Sequence, residues 1–172
     1  MWRPKRAIMQ VAFLVDDLDS AIDNWVSLHN VGPFYVDRHT GYAERSFRDA
    51  PGEWDVSLAF AYSGDLQIEL VQCHDDSPSV FSEFRSIHGR GAHHLGAITP
   101  DLAGDIRAFA ERGIAPVQHA VSSSGVEPAF FETGAVPGQM LELIQGSDPL
   151  QAAFGALKAA ADAWDGKTKR LN

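Results

Sequence analysis

Two hydrophobic periods alternate along this chain. Period-two stretches rich in β-branched and aromatic residues, 56–62, 66–72 and 128–132, predict strands. Helical spacing appears at Ala21, Ile22, Trp25 and Leu28, with Asp19 or Ser20 available as N-cap and Gly32-Pro33 beyond the end. It returns at Leu102, Ile106 and Phe109, where Gly113 suits a C-cap. Val80, Phe81, Phe84 and Ile87 predict a helical turn or more within a connector. Phe154, Leu157, Ala161 and Trp164 mark an alanine-rich terminal helix whose apolar stripe must find a surface, either its own sheet or a second subunit.

The pattern also repeats. A shift of 84 positions sets Gln10-Val11-Ala12-Phe13-Leu14 on His94-Leu95-Gly96-Ala97-Ile98 and Asp17-Leu18 on Asp101-Leu102. A shift of 73 sets Ile68-Glu69-Leu70-Val71-Gln72 on Leu141-Glu142-Leu143-Ile144-Gln145. Two matches in the same order, with nearly equal shifts, argue for an internal duplication. The expected fold is α+β: two paired βαβββ modules in a curled mixed sheet. One domain spans 7–146, with module 1 at about 7–73, a connector at 74–90 and module 2 at about 91–146. A helix over 148–166 and a frayed tail over 167–172 follow.

Alternation decides which polar residues share a strand face. Gln10 faces with Ala12 and Leu14, Glu69 with Gln67 and Val71, His94 with Ala92 and Gly96, and Glu142 with Met140 and Ile144. His93 is expected to point away, as a structural residue. Each half therefore offers two polar side chains inside core-like sequence. A carboxylate in such surroundings must be paired, protonated or bound to a cation. Two carboxylates, an imidazole and an amide oxygen make a divalent-metal set suited to zinc, iron, manganese, nickel or cobalt.

Composition narrows the partners. With 14 basic and 23 acidic residues the formal charge is −9, opposite to what nucleic acid or an anionic membrane selects. Arg3, Lys5 and Arg6 precede an apolar stretch that Gln10 interrupts, which is neither a signal peptide nor a membrane span. The single cysteine, Cys73, cannot form an internal disulfide and reads as a small buried hydrophobe. A cytoplasmic protein, a small-molecule substrate and a homodimer built on the terminal helix are the expectations. Trp54, Phe60, Tyr62, Phe130 and Phe131 are candidates for an apolar pocket wall. Arg38, Arg45, Arg48, Arg85 and Arg90 are free to pair with a carboxylate or stay solvated, and Tyr35 to Trp54 is polar enough for a rim or lid.

The stretch beginning at Gln10, the run Leu66-Gln-Ile-Glu-Leu-Val-Gln, the run Gly91-Ala-His-His-Leu-Gly and the ending Met140-Leu-Glu-Leu-Ile-Gln together resemble the vicinal oxygen chelate superfamily. That superfamily includes glyoxalases, methylmalonyl-CoA epimerases, ring-cleaving dioxygenases and bleomycin-resistance proteins. The resemblance covers roughly 7–146 and implies sheets curled around a metal held by Gln10, Glu69, His94 and Glu142. That ligand set is similar to the zinc-type glyoxalases, whereas Ser77 to Phe81, His88 to His94 and Gly138 to Glu142 look more like the epimerases. The shared chemistry is a proton shift next to a carbonyl. The resemblance implies Glu142 as base and Glu69 as second choice; Gln67, which shares the Glu69 face, is placed to hydrogen-bond a bound oxygen. Ser57 and Asp55 stand near where epimerases carry a further acid, a departure from a simple methylmalonyl-CoA epimerase. A glyoxalase-type lyase is the rival within the family, and a metal-free, ligand-sequestering binder the rival outside it. Gln10 in place of a histidine argues against an extradiol dioxygenase.

Overall fold

A computed structural model describes residues 7–134 and 138–171. The chain runs β1 (Gln10–Val15), α1 (Leu18–His29), β2 (Tyr35–Asp37), β3 (Tyr42–Phe47), β4 (Ala50–Pro51), β5 (Val56–Ser63) and β6 (Leu66–Cys73). Then come α2 (Val80–His88), β7 (Gly91–Thr99), α3 (Leu102–Ala110), β8 (Pro116–Ser122), β9 (Pro128–Glu132), β10 (Met140–Gln145) and α4 (Asp148–Asp162). All ten strands share one mixed sheet in the order β2-β5-β6-β1-β7-β10-β9-β8-β3-β4. β1 runs parallel to β6, β7 runs parallel to β10, and β1 pairs antiparallel with β7 at the centre.

This order contains the two βαβββ units and one addition. The β3–β4 hairpin belongs to the first half of the sequence but pairs with β8 at the far edge of the second. Residues 38–41 thus join the two ends of the sheet. Thr40 N donates to Val56 O (2.8 Å) and Ser123 N donates to Gly41 O (2.8 Å), so this strap is fastened to both sides. The curl it enforces gives the sheet a concave interior.

Alternation sorts the faces as the sequence requires. Outward residues Ile68 and Leu70 meet Leu18, Ile22 and Val26 of α1, while Ala97, Phe131 and Leu143 meet Leu102 and Phe109 of α3. Inward apolar residues, among them Leu14, Val56, Val71, Phe130 and Met140, join Val80 and Phe81 of α2 in a third cluster. Phe131, a candidate for the pocket wall, instead belongs to the core beneath α3 because its strand neighbour Phe130 takes the inward face.

Several local expectations are corrected. The cap of α1 is Asp17, whose side chain accepts from Ser20 N; Asp19 and Ser20 lie inside the helix. Leu28 and Ile87 are exposed, each at the trailing edge of a short stripe that the sheet does not reach. Glu111 caps α3, and Gly113 turns the chain two residues later at φ +74. The tail expected to fray is held: Phe34 N donates to Lys169 O (2.9 Å) and Leu171 N to Phe34 O (2.8 Å). Lys169 and Arg170 also reach Asp23 and Asp19 on α1. The stripe of α4 lands on its own sheet, with Leu150 and Leu157 buried and Trp164 against the α1 cluster. Among the described residues no helix is long and apolar enough to cross a membrane. Cys73 is buried with a free thiol that burial pushes upward in pKa.

Candidate functional site

The adjacent central strands β6, β1, β7 and β10 carry Glu69, Gln10, His94 and Glu142, all buried and on the inner face. Register reproduces the duplication: Gln10 pairs with Gln67 and Ala12 with Glu69, while His94 pairs with Met140 and Gly96 with Glu142. Across the centre Gln10 opposes Gly96 and Ala12 opposes His94, so an approximate twofold relates the halves. A side chain at position 96 would crowd Gln10: a Cβ would lie 2.1 Å from Gln10 Oε1 and 3.0 Å from Gln10 Cβ.

One ligand-type atom from each of Glu69, His94 and Glu142 falls within 4.8 Å of the others. His94 Nε2 is 3.0 Å from Glu69 Oε2, a hydrogen bond, and 3.4 Å from Glu142 Oε2, which has no hydrogen-bond partner. Gln10 Nε2 donates to Gln67 Oε1 (2.8 Å), and Gln67 Nε2 donates to the Tyr62 hydroxyl (3.2 Å). This chain fixes the Gln10 amide so that Oε1 is a buried acceptor without a donor. Buried oxygens without hydrogen-bond partners on Gln10 and Glu142, with the Glu69 carboxylate and the His94 imidazole, are donors of the types that divalent cations take.

His93 does not face away from this group. β7 pairs His94 with Ala12 but Ala92 with Phe13, leaving His93 unpaired at a bulge. A bulge breaks strict alternation and brings two successive side chains toward one side. His93 Nδ1 lies 2.9 Å from His94 Nδ1, and His93 Nε2 lies 3.1 Å from Val80 O. Since a carbonyl only accepts, the network assigns the His93 proton to Nε2 and leaves Nδ1 to accept from His94 Nδ1–H. Burial, helped by the charge of His94, lowers the pKa of His93 to about 3, so it stays neutral. For His94 burial also pulls downward, but Glu142 and Glu69 outweigh it and raise the value to about 10. Glu69 is raised by burial, with His94 opposing. The imidazolium thus supplies the positive charge that two buried carboxylates demand. Once neutral, His94 retains its Nδ1 proton and turns the Nε2 lone pair toward Glu69 and Glu142.

A cavity of about 490 Å³ opens over this floor. Gln10, Glu69 and Glu142 line it, as do the expected wall residues Trp54, Phe60 and Phe130. Tyr62 and Gln67 do not; they stand behind Gln10 and orient it. Phe130 packs edge-on against His94, ring centres 5.2 Å apart. The 35–54 segment contributes Tyr35, Asp37, Thr40, Tyr42 and Trp54, as a wall built into strands and strap. Burial pushes the Tyr42 phenol up to about 12, with the Glu69 and Glu142 charges adding to the rise, so it remains a proton donor. Leu150, Phe154 and Leu157 of α4 complete the wall. The loop arginines are committed elsewhere: Arg38 to Asp19, Arg48 to Glu83, Arg85 to Asp76 and Arg90 to Asp16. Arg45 donates to the Gly52 and Trp54 carbonyls.

His93 and α4 were missed as parts of the candidate site, and Tyr42 was included only within the 35–54 rim. Nothing in the sequence marks a bulge, Tyr42 sits in a polar strand with no clean alternation, and the α4 stripe does not reveal which surface it covers. A second cluster, His39, Asp55 and His74, lies where the strap meets β5. There His39 Nδ1 contacts Asp55 and His74 Nε2 contacts Ser57 Oγ.

The curled duplicated sheet with polar residues on its central strands defines the class. Residues 9–130 match the family model of the Glyoxalase/Bleomycin resistance protein/Dioxygenase superfamily, and the chain belongs to that family. A hypothetical protein, BH1468, from Bacillus halodurans C-125 superposes with a TM-score of 0.65 at 16% identity, over 84% of this chain and 97% of its own. Methylmalonyl-CoA epimerase from Mycobacterium tuberculosis gives 0.57 at 21% identity, over 83% and 89%. A variant Streptomyces coelicolor methylmalonyl-CoA epimerase in complex with 2-nitronate-propionyl-CoA gives 0.61 at 15%, over 83% and 95%. No curated protein matches the sequence.

Proposed function

We propose that this protein is a metal-dependent enzyme that moves a proton at a carbon next to a carbonyl, in an isomerase-like or epimerase-like reaction on a small acyl or carbonyl substrate. The observation that carries the reading is the buried Glu69, His94 and Glu142 cluster, flanked by the unpartnered Gln10 Oε1 and open to a cavity. Gln10, Glu69, His94 and Glu142 would hold the ion. A divalent cation bound there supplies Lewis acidity toward substrate oxygens and stabilises charge that develops on them.

The chain's own groups do the rest. Glu142 is the base: it lines the cavity, and its Oε2 makes only a longer 3.4 Å ion pair with His94, against the 3.0 Å hydrogen bond that ties Glu69. It accepts the proton on carbon and delivers it to the neighbouring carbon, which completes the isomerisation; an epimerase-like outcome requires a second donor on the opposite face of the same carbon. Tyr42, held neutral, is a hydrogen-bond donor in the cavity wall for a substrate oxygen. Trp54, Phe60 and Phe130 exclude water from the carboxylates. A glyoxalase-type lyase shares the proton shift and differs in the substrate that presents it.

The test is exchange of substrate hydrogen for deuterium in heavy water, across acyl-CoA esters, hemithioacetals and neutral hydroxyketones. Metal-loaded enzyme is expected to exchange the hydrogen next to the carbonyl of one class, and Glu142→Gln to slow that exchange by roughly 10²- to 10⁴-fold. Exchange that survives in Glu142→Gln removes Glu142 as base, and no exchange with any class contradicts the proposed reaction.

A further inference from the structure

The cavity wall is apolar and, wherever it is charged, acidic. Its charged lining residues are Asp37, Glu69 and Glu142, and no described lysine or arginine lines it. Most of its polar groups are already engaged. Gln118 Oε1 accepts from Val80 N (3.0 Å), Thr40 Oγ1 donates to Asp37 (3.0 Å), and the Ser122 and Ser124 hydroxyls bond each other (2.9 Å). Trp54, whose buried Nε1 has no partner, and the Tyr42 hydroxyl add isolated donors, and most of the remaining surface is hydrocarbon from both sheet edges and from α4.

A carboxylate or phosphate buried here would lose its hydration without meeting a cation or a set of free N–H donors. An ion on the floor offsets the charge of Glu69 and Glu142 but gives nothing to an anionic group further up the wall. Hydrocarbon, by contrast, gains from leaving water along every contact. We propose that the part of the substrate entering this cavity is neutral and largely apolar: an alkyl or aryl hydroxyketone or diketone. Its adjacent oxygens lie on the Gln10, Glu69, His94 and Glu142 floor, and its hydrocarbon body packs between Phe60, Phe130 and Phe154. The oxygen-chelating part of this assignment rests on the proposed function; the apolar part rests on the wall alone. A dicarboxylic acyl group is excluded from the cavity on the same grounds.

Four probes separate these parts. Naphthalene, measured by quenching of tryptophan fluorescence in metal-free protein, reports the wall through the part of the quenching that Trp54→Phe removes from the signal of the four tryptophans. Benzohydroxamate, acetohydroxamate and malonate, titrated calorimetrically into zinc-loaded protein, present oxygen pairs with an aryl body, a methyl group or an additional negative charge. Naphthalene is expected to bind saturably, and benzohydroxamate at least about tenfold more tightly than acetohydroxamate because of the apolar area it buries. Malonate is expected to bind weakest. Phe154→Arg, which places a cation at the wall, should weaken naphthalene and benzohydroxamate by about tenfold or more and favour malonate. If malonate matches or exceeds benzohydroxamate in the unaltered protein, or naphthalene does not bind, the proposal is overturned even if the variant fails to fold. If zinc does not bind while naphthalene does, the proposed function fails and the apolar assignment stands.

Discussion

In the first half of the molecule Gln10 is held by the residue beside it on the parallel strand, Gln67, which is braced in turn by Tyr62. In the second half the residue in that register is Met140, which has no donor or acceptor suited to steering an imidazole. His94 is held instead by its chain neighbour His93, turned inward at a bulge and anchored on Val80 O. The two halves share strand register and ligand-bearing positions but orient those side chains by different means. Duplication supplies the geometry of the site, and the chemistry is set afterwards by whichever neighbour can reach the second polar atom of each side chain. For Gln10 that choice decides which amide atom is left without a partner; for His94 it decides which nitrogen faces Glu69 and Glu142.

The largest effect expected on this comparison comes from His93. His93→Phe should weaken metal binding roughly 10- to 100-fold, since orientation of a ligating histidine by its hydrogen-bond partner is worth about that much. Nitrogen NMR of His94 should then report loss of the fixed Nδ1–H tautomer, which a purely structural role would leave intact. His93→Gln, which can still accept from His94, should recover part of the affinity. Retained affinity and tautomer in the phenylalanine variant would show that the bulge matters only for packing.

A smaller effect is expected from Gln67→Met, which gives the first half the second half's residue. Metal affinity should fall by about tenfold, at the low end for loss of an outer hydrogen bond. Stability should fall by about 1 kcal/mol as the Gln10 amide loses its partner. An unchanged affinity in calorimetric titration would mean that Gln10 needs no orientation, or does not bind the metal.

The gentlest probe is pH. In the metal-free protein the folded pKa of His94, about 10, lies above its ordinary value of 6.5. Its contribution to stability is therefore fully present below about pH 6.5 and is lost as pH rises through 10. Glu69, also raised, acts in the same direction, favouring the fold at lower pH. Thermal unfolding of metal-free protein should shift to lower temperature between pH 7 and 10, and bound metal should suppress the shift by taking the proton's place. A metal-free protein whose stability is flat over that interval would contradict the assigned charge on His94.

What the sequence disclosed, and what it hid, follow the same division. Gln10, Glu69, His94 and Glu142 were legible because strand alternation and the two shifts, 84 and 73, place them without knowledge of any contact. The paired modules were legible for the same reason. The inward turn of His93 was not, because one unpaired residue reverses the alternation on which facing is read. The pairing of Tyr42 to Phe47 with β8 was hidden because a polar hairpin carries no mark of which edge it joins. The destination of α4 was open between a sheet and a second subunit, and Leu150 and Leu157 settle on the sheet's cavity.

The most direct measurement of the central claim is the metal content of protein purified without added metal, followed by titration with zinc, cobalt, nickel, manganese and iron(II), repeated on His94→Ala and Glu142→Ala. The expected result is an equivalent of divalent metal, carried through purification or gained on titration, that both variants lose while remaining folded. Unaltered protein that holds no metal and gains none, or variants that bind it as well as the parent, would contradict the claim that these four residues form a metal centre.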